Sequence, residues 1–402
     1  MPGIEYYAPS RVLFGQGVET QVGKMLTDYG AKKVLIHFGT GSVRKSGLLD
    51  SVEEELKKAG IEYIELGGVV PNPRLSLVRK GIKICKDEKV DFILAVGGGS
   101  VIDSAKAIGY GSASEGDVWD FYCGKRKVQA TLPVGVILTL SATGSEMSDS
   151  SVITNDENEI IYKRGVNTPY GRVKFSLLAP NLTYTVSAYQ TASGSVDIMM
   201  HTLERYFHKG YALDLTDEIS FVILKTVMKY APIAIDHPDD YDARANLMWA
   251  GTLSHNGLTN ACNSNRGDWA CHQIEHELSA EFDVAHGAGL ASIWGSWARF
   301  VLNTDVKRFA KLGRALFGFD WDENTDDKTS ERIALDTIEG MEDFFISIGM
   351  PIGLKGLGLD FDESACEKAA LGVTFGDART VGDFVVLTSK EIKEIYMMAK
   401  DK

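Results

Sequence analysis

FILAVGGGSVIDSAKAI, residues 92–108, is the stretch that decides the fold. Phe92–Val96 is a short, wholly apolar run, the pattern of a strand buried on both faces of a parallel sheet. GGGS follows, and Val101–Ile108 then opens a helix. The same alternation runs upstream and downstream. Lys33–Phe38 (KVLIHF) is a strand ending at GTGS, Leu48–Ala59 a helix stopped by Gly60, and Ile61–Leu66 the next strand. Leu75–Glu88 reads as helix and Val134–Leu140 as another buried strand. Strands alternating with helices predict an α/β domain, a Rossmann-like parallel sheet with helices on both faces. Its ligand belongs at the carboxyl ends of the strands. Tyr7–Phe14 reads as a short edge hairpin ahead of the sheet. Such an edge needs covering, so a homodimer is expected.

From about Ser187 the pattern changes. Ser187–Phe207, Leu215–Tyr230, Tyr241–Leu258, Trp269–Leu278 and Ala288–Val301 all read as helices, and few β-branched runs remain. The expected division is therefore 1–184 as an α/β dinucleotide-binding domain and 185–402 as an all-helical, metal-binding domain. The length of 402 residues, more than one core usually supports, points the same way.

Composition excludes several classes of function. The chain is 44% hydrophobic and 24% charged, as ordinary globular proteins are. A net charge of -13, without a long Lys/Arg run, repels nucleic acid and anionic membranes. No apolar stretch approaches the roughly 18 residues that span a bilayer. MPGIEYYAPS is not a secretory signal, because no basic segment precedes an apolar one. Cys85, Cys123, Cys262, Cys271 and Cys366 are odd in number and scattered, which fits a reducing cytoplasm better than a disulfide framework.

Two glycine-rich loops follow strands: Gly39-Thr40-Gly41-Ser42 and Gly97-Gly98-Gly99-Ser100. Glycines let a backbone approach a phosphate, and a helix N-terminus offers free N–H groups and partial positive charge. Either loop alone is equally a plain tight turn; two in one sheet favour a dinucleotide. The first loop, HFGTGSVRK (37–45), has no acidic residue to repel a 2′-phosphate, while Ser42, Arg44 and Lys45 offer donors and charge. NADP(H) is therefore expected over NAD(H).

A second set of residues suggests a metal. Asp197 and His201 are four apart on one helix face, and so are His272 and His276 on a later helix. His286 follows in VAHGAG, where Gly287 and Gly289 suggest a turn. One carboxylate and three imidazoles suit a divalent transition metal, Fe2+ or Zn2+. A lone histidine is more often a hydrogen-bonded core or surface residue, and spacing alone leaves both readings open. His276, one turn after His272, is a candidate proton relay or a histidine that only orients a ligand.

These motifs together resemble the iron-containing (group III) alcohol dehydrogenases, over nearly the whole chain. The resemblance is carried by VGGGSVIDSAKAI (96–108), EGDVWDFYCGK (115–125), LTLSATGSEMS (138–148), VDIMMHTLERYF (196–207), DWACHQIEHELSA (268–280) and AHGAGLA (285–291). It is nearest to the butanol dehydrogenase and NADPH-dependent aldehyde reductase branch. It implies a dehydroquinate synthase-like architecture, with the active site in a cleft between the two domains. It implies an enzyme that moves a hydride between NAD(P)H and a small aliphatic aldehyde or primary alcohol. It makes Asp197, His201, His272 and His286 the metal ligands. It places Gly98, Gly99 and Ser100 on the pyrophosphate with Asp103 nearby, and Asn72 near the adenosine. Thr139, Leu140, Ser148, Lys163 and Leu182 then line the rest of the dinucleotide. Ser141 and Ala179 depart from the family pattern, away from the implied ligands. A polyol or glycerol-type dehydrogenase of the same superfamily is the alternative. Dehydroquinate synthase-like or glycerol-phosphate chemistry would need cations for a substrate phosphate, and 197–207 and 268–286 hold only Arg205. A non-enzymatic dinucleotide or metal-storage module would show a broken ligand set, which is not seen.

Overall fold

The computed structural model describes residues 5–157, 161–260 and 267–402. The chain forms two compact units, one of Tyr7–Val186 with Asp239–Asn256, the other built on Ser187–Pro238 and Gly257–Lys402.

The first unit holds a six-stranded sheet of β1 (Arg11–Phe14), β2 (Lys33–Gly39), β3 (Glu62–Val69), β4 (Phe92–Gly97), β5 (Val134–Leu138) and β8 (Phe175–Leu178). Its order is β1-β8-β5-β4-β2-β3, and every neighbouring pair is parallel. A separate antiparallel pair, β6 (Ser150–Asn155) and β7 (Tyr162–Asn167), lies between β5 and β8 in sequence. Helices α1 (Leu48–Lys58), α2 (Leu75–Asp87) and α3 (Gly99–Ser112) connect the strands. Both faces of the sheet are covered, which is why its strands read as unbroken apolar runs. Val34, Ile36, Phe92, Leu94 and Val96 enter one core, while Leu35, Ile93, Ala95, Val134 and Val136 enter the other.

The expected edge hairpin at Tyr7–Phe14 is instead a single strand. Arg11–Phe14 pairs in parallel with Phe175–Leu178, so no hairpin turn is needed.

Beyond residue 187 come α4 (Ala188–Tyr206), α5 (Asp214–Asp236), α6 (Tyr241–Ser254), α7 (Ala270–Phe282), α8 (His286–Val301) and further α-helices up to Ala399. The sequence reading places α6 with the helical domain; in the fold it belongs to the sheet unit. The reason is packing: Met248 of α6 is fully buried in the core that also holds Ile93 and Val136. Cys85, Cys123, Cys271 and Cys366 are free thiols, and Cys262 lies outside the described residues. No helix among the described residues is long and apolar enough to cross a membrane.

His37 shows how closely this core is built. It is fully buried on β2. Its Nδ1 lies 2.7 Å from the Leu66 carbonyl and its Nε2 2.8 Å from Ser104 Oγ. A neutral ring satisfies both, with Nδ1–H donating to Leu66 and the Ser104 hydroxyl donating to Nε2. Burial pushes its pKa down to about 4, although the Leu66 bond works the other way. The unfolded chain takes up this proton from the ordinary value of 6.5 downward, whereas the folded chain resists until about 4. Stability present above pH 6.5 is therefore lost as the pH falls through that window, by on the order of 3 kcal/mol. Denaturant midpoints at pH 7 and pH 4.5 check this: His37→Gln should have a smaller acid drop than wild type, and an equal drop would assign it to other groups.

Candidate active site

The sheet brings the expected cofactor residues to one edge. All six strands are parallel, so the segments after β2, β3, β4, β5 and β8 leave from the same side. Gly39, Gly41 and Ser42 follow β2, Asn72 follows β3, Gly98 to Ser100 follow β4, Thr139 and Leu140 follow β5, and Leu182 follows β8. The chain moves outward from β2 to β3, then returns to β4 on the other side of β2. This reversal is the switch point at which open α/β sheets bind ligands, and both glycine loops stand there. Gly41 has φ 131°, a conformation that side chains rarely adopt. A Cβ on Gly99 would collide with the Thr143 side chain, so this glycine lets the β5 segment approach α3.

Three of the expected residues are engaged within the protein. Asp103 Oδ1 accepts from Ser145 Oγ at 2.6 Å and Oδ2 from the Val152 amide at 2.9 Å. Ser148 is fully buried, with its hydroxyl 3.3 Å from Lys106 Nζ. Lys163 lies on β7, opposite Thr154. Lys106 is missed by the sequence reading. One turn along α3 from Asp103, it donates to the carbonyls of Ser145, Ser148 and Ser150 at 2.7, 3.1 and 2.8 Å. Burial lowers its pKa to about 8 despite the nearby Asp103, Asp149 and Glu146 carboxylates. Asp103 and Lys106 thus hold residues 145–152 onto the helix that begins at the GGGS loop.

The helical unit assembles the second set of residues. Asp197 and His201 lie one turn apart on α4, His272 and His276 one turn apart on α7, and His286 opens α8. Asp197 Oδ1 is 3.5 Å from His201 Nδ1, 3.7 Å from His272 Nε2 and 3.7 Å from His286 Nε2. Ligand atoms of Asp197, His272 and His286 all lie within 4.8 Å of one another. The rings of His201 and His272 are 4.7 Å apart, and those of His276 and His286 5.7 Å apart. Asp197 and His272 are buried, and Asp197 Oδ1 and His272 Nε2 have no hydrogen-bond partner among the described residues.

Two buried polar atoms left this way are costly unless something joins them. A cation does. A tetrahedral site with bonds of about 2.1 Å has edges of about 3.4 Å, close to the spacings found. The local field agrees. Burial opposes charge on His272, yet the Glu204 and Asp197 carboxylates outweigh it and raise its pKa to about 9.

Gly287 and Gly289 are not turn residues; both lie in the first turn of α8. A Cβ on Gly287 would collide with the Ser193 carbonyl of α4, and one on Gly289 would meet Glu275 Cγ at 2.8 Å. They are small so that α8 can press against α4 and α7. The sequence reading also misses Glu204, Glu275 and Trp269. Trp269 adopts φ 62°, unusual for a bulky residue, and packs against the His201 and His272 rings at 6.0 and 5.1 Å. Glu204 and Glu275 each lie three residues after a histidine of this set, a spacing that marks one helix face. Arg205 lies over the Trp269 ring at 4.5 Å and donates to the His201 carbonyl at 2.7 Å.

Comparison with known proteins gives the family. Residues 9–180 match the iron-containing alcohol dehydrogenase family, and residues 191–400 match the C-terminal region of the Fe-containing alcohol dehydrogenase family. The chain belongs to the iron-containing alcohol dehydrogenases. It is 40% identical to NADH-dependent butanol dehydrogenase A of Clostridium acetobutylicum, over 98% of this chain and 99% of that one. It is 35% identical to the NADPH-dependent aldehyde reductase YqhD of Escherichia coli, over 90% of each. The crystal structure of an NADH-dependent butanol dehydrogenase A from Thermotoga maritima superposes with a TM-score of 0.93 at 36% identity, covering 100% of this chain and 99% of that one.

Proposed function

We propose that this chain is a metal-dependent alcohol dehydrogenase and aldehyde reductase, exchanging a hydride between NAD(P)H and a small aliphatic aldehyde or primary alcohol such as butanal or butanol. The observation that carries the reading is the buried Asp197 oxygen, unpartnered and faced by three histidine nitrogens at 3.5, 3.7 and 3.7 Å. Asp197, His201, His272 and His286 would hold Fe2+ or Zn2+, both of which accept this donor set. Such a cation, when bound, supplies Lewis acidity toward the substrate oxygen, and the nicotinamide supplies the hydride.

The rest falls to the protein's own groups. The amides of Gly98, Gly99 and Ser100, at the start of α3, receive the pyrophosphate. Gly39, Gly41, Ser42 and Asn72 take the adenosine end, and Thr139, Leu140, Lys163 and Leu182 line the remainder. Asp103 and Ser148, beside the pyrophosphate loop and the rest of the dinucleotide, also hold the 145–152 segment in place. A ring nitrogen of half-buried His276 passes the proton that completes the alcohol. The reaction balances as aldehyde, NAD(P)H and a proton giving alcohol and NAD(P)+. A reducing cytoplasm suits the free thiols.

The experiment is NADPH oxidation with butanal, read with metal content. Activity should vanish with a chelator and return with Fe2+ or Zn2+. His272→Ala should lose both metal and activity. His276→Ala should keep its metal and lose about 100-fold in turnover, within the usual range for a proton-transfer group. Full metal occupancy in His272→Ala overturns the metal assignment, and unchanged turnover in His276→Ala removes the relay.

For cofactor choice, the absence of acid in residues 37–45 favours NADPH. Arg44 weighs less than its charge suggests, because it is half-exposed and already paired with Glu65. We expect higher catalytic efficiency with NADPH than with NADH, and a several-fold further rise in that ratio in Glu65→Gln, which removes the nearer of the two carboxylates, Glu65 and Glu53, that face Arg44. A wild type favouring NADH ends the preference; an unmoved ratio in Glu65→Gln ends the role of Arg44.

A homodimer is proposed through the outer edge of β1, the end strand of the sheet. Sedimentation at twice the 43.9 kDa chain mass is expected, and Val12→Pro, which blocks strand pairing, should favour the monomer. A wild-type monomer at micromolar concentration contradicts it.

A further inference from the structure

Two carboxylates with no part in that reaction are buried against the histidine cluster. Glu275 is fully buried; its Oε2 is bonded to His286 Nδ1 and its Oε1 accepts from Ser279 Oγ. Glu204 is 1% exposed. Its Oε1 accepts the His272 backbone amide at 2.9 Å and lies 3.3 Å from His272 Nδ1. A buried carboxylate costs several kcal/mol unless the geometry around it compensates. Here the ion-pair partner of each is a histidine whose other nitrogen faces Asp197.

The connections run across helices. Glu204 belongs to α4 and holds a histidine of α7; Glu275 belongs to α7 and holds a histidine of α8. The three helices that supply the cluster are thereby tied in series by side chains that leave each Nε2 directed inward. Gly289 belongs to the same device, since a Cβ there would press on Glu275.

We propose that Glu204 and Glu275 are positioning residues that preset His272 and His286 for a divalent cation and strengthen its binding. The proposal rests on the metal reading above. The physical basis is threefold. A carboxylate at Nδ1, bonded to it for Glu275–His286 and 3.3 Å away as a charge contact for Glu204–His272, favours a proton on Nδ1 and so leaves Nε2 to the cation. It stops the ring from turning a carbon toward the cation. With Asp197 it adds negative charge close to the cation, inside a buried and weakly screened site.

The test measures metal affinity, independently of turnover. Metal-free wild type, Glu204→Gln and Glu275→Gln are titrated with Zn2+ against a chromophoric chelator. The melting temperature of each metal-free protein is measured alongside. Each Gln variant should bind Zn2+ 10- to 100-fold more weakly, the usual range for such outer partners, while its metal-free melting temperature stays near that of wild type. The visible bands of the Co2+-loaded protein should also shift, because a ligand ring has relaxed. Glu275→Asp, which keeps the charge but shortens the reach, should also bind more weakly than wild type. Wild-type affinity and unshifted Co2+ bands in both Gln variants overturn the proposal. So does a lower metal-free melting temperature at unchanged affinity, the mark of a helix staple only. If His272→Ala keeps its Zn2+, the metal reading itself fails. If His272→Ala loses Zn2+ while both Gln variants keep it, only the present proposal fails.

Discussion

A single carboxylate oxygen, Asp197 Oδ1, buried among three imidazoles, is the constraint around which the helical unit is arranged. Such an oxygen is unfavourable without a positive charge, and the surroundings are organised to attract one rather than to neutralise it with a lysine. The small residues Gly287 and Gly289 bring α8 in close. Trp269 accepts a left-handed backbone and walls the His201 and His272 rings. None of these features is explained by stability alone. A leucine in place of Asp197 would fill the space with less electrostatic penalty, as buried ion clusters replaced by apolar groups often show.

The sheet unit solves a different problem: how to leave backbone amides exposed at one edge while the strands behind them are sealed. Covering both faces with helices seals the strands. The Asp103–Lys106 pair then anchors the 145–152 segment, which no strand pairing to the main sheet secures. An ammonium among three carbonyls is a polar substitute for the strand hydrogen bonds that the segment lacks. It makes the segment as well fixed as the helix that carries it.

The legible parts of this chain were those with a strong period or an unambiguous spacing. KVLIHF and FILAV could only be buried strands, and Asp197 and His201 declared a shared helix face. SSVITN and YKRGVN, by contrast, mix polar and apolar residues without a clean alternation, so β6 and β7 left no comparable mark. The apolar face of α6 announced a helix but could not say which core would receive Met248. Glu204 and Glu275 were missed because a carboxylate on a helix reads the same whether it is solvated or bonded to a histidine. The left-handed backbone of Trp269 has no signature in its own identity. Gly287 and Gly289 were misread for a related reason. Glycine marks a turn and a close helix contact with the same letter, and only the neighbouring helix distinguishes them.

The membership of α6 in the sheet unit has a consequence for how the chain is made. That unit is discontinuous: Tyr7–Val186 must wait for Asp239–Asn256, with Ser187–Pro238 of the other unit in between. On the ribosome, the sheet emerges and can close on itself while the core around Met248 still lacks one wall. That wall leaves the exit tunnel only after the helix bearing Asp197 and His201. Synthesis therefore interleaves the two units. Neither finishes before the other has begun, and the nascent protein carries an uncovered apolar face for the time it takes to translate the intervening segment.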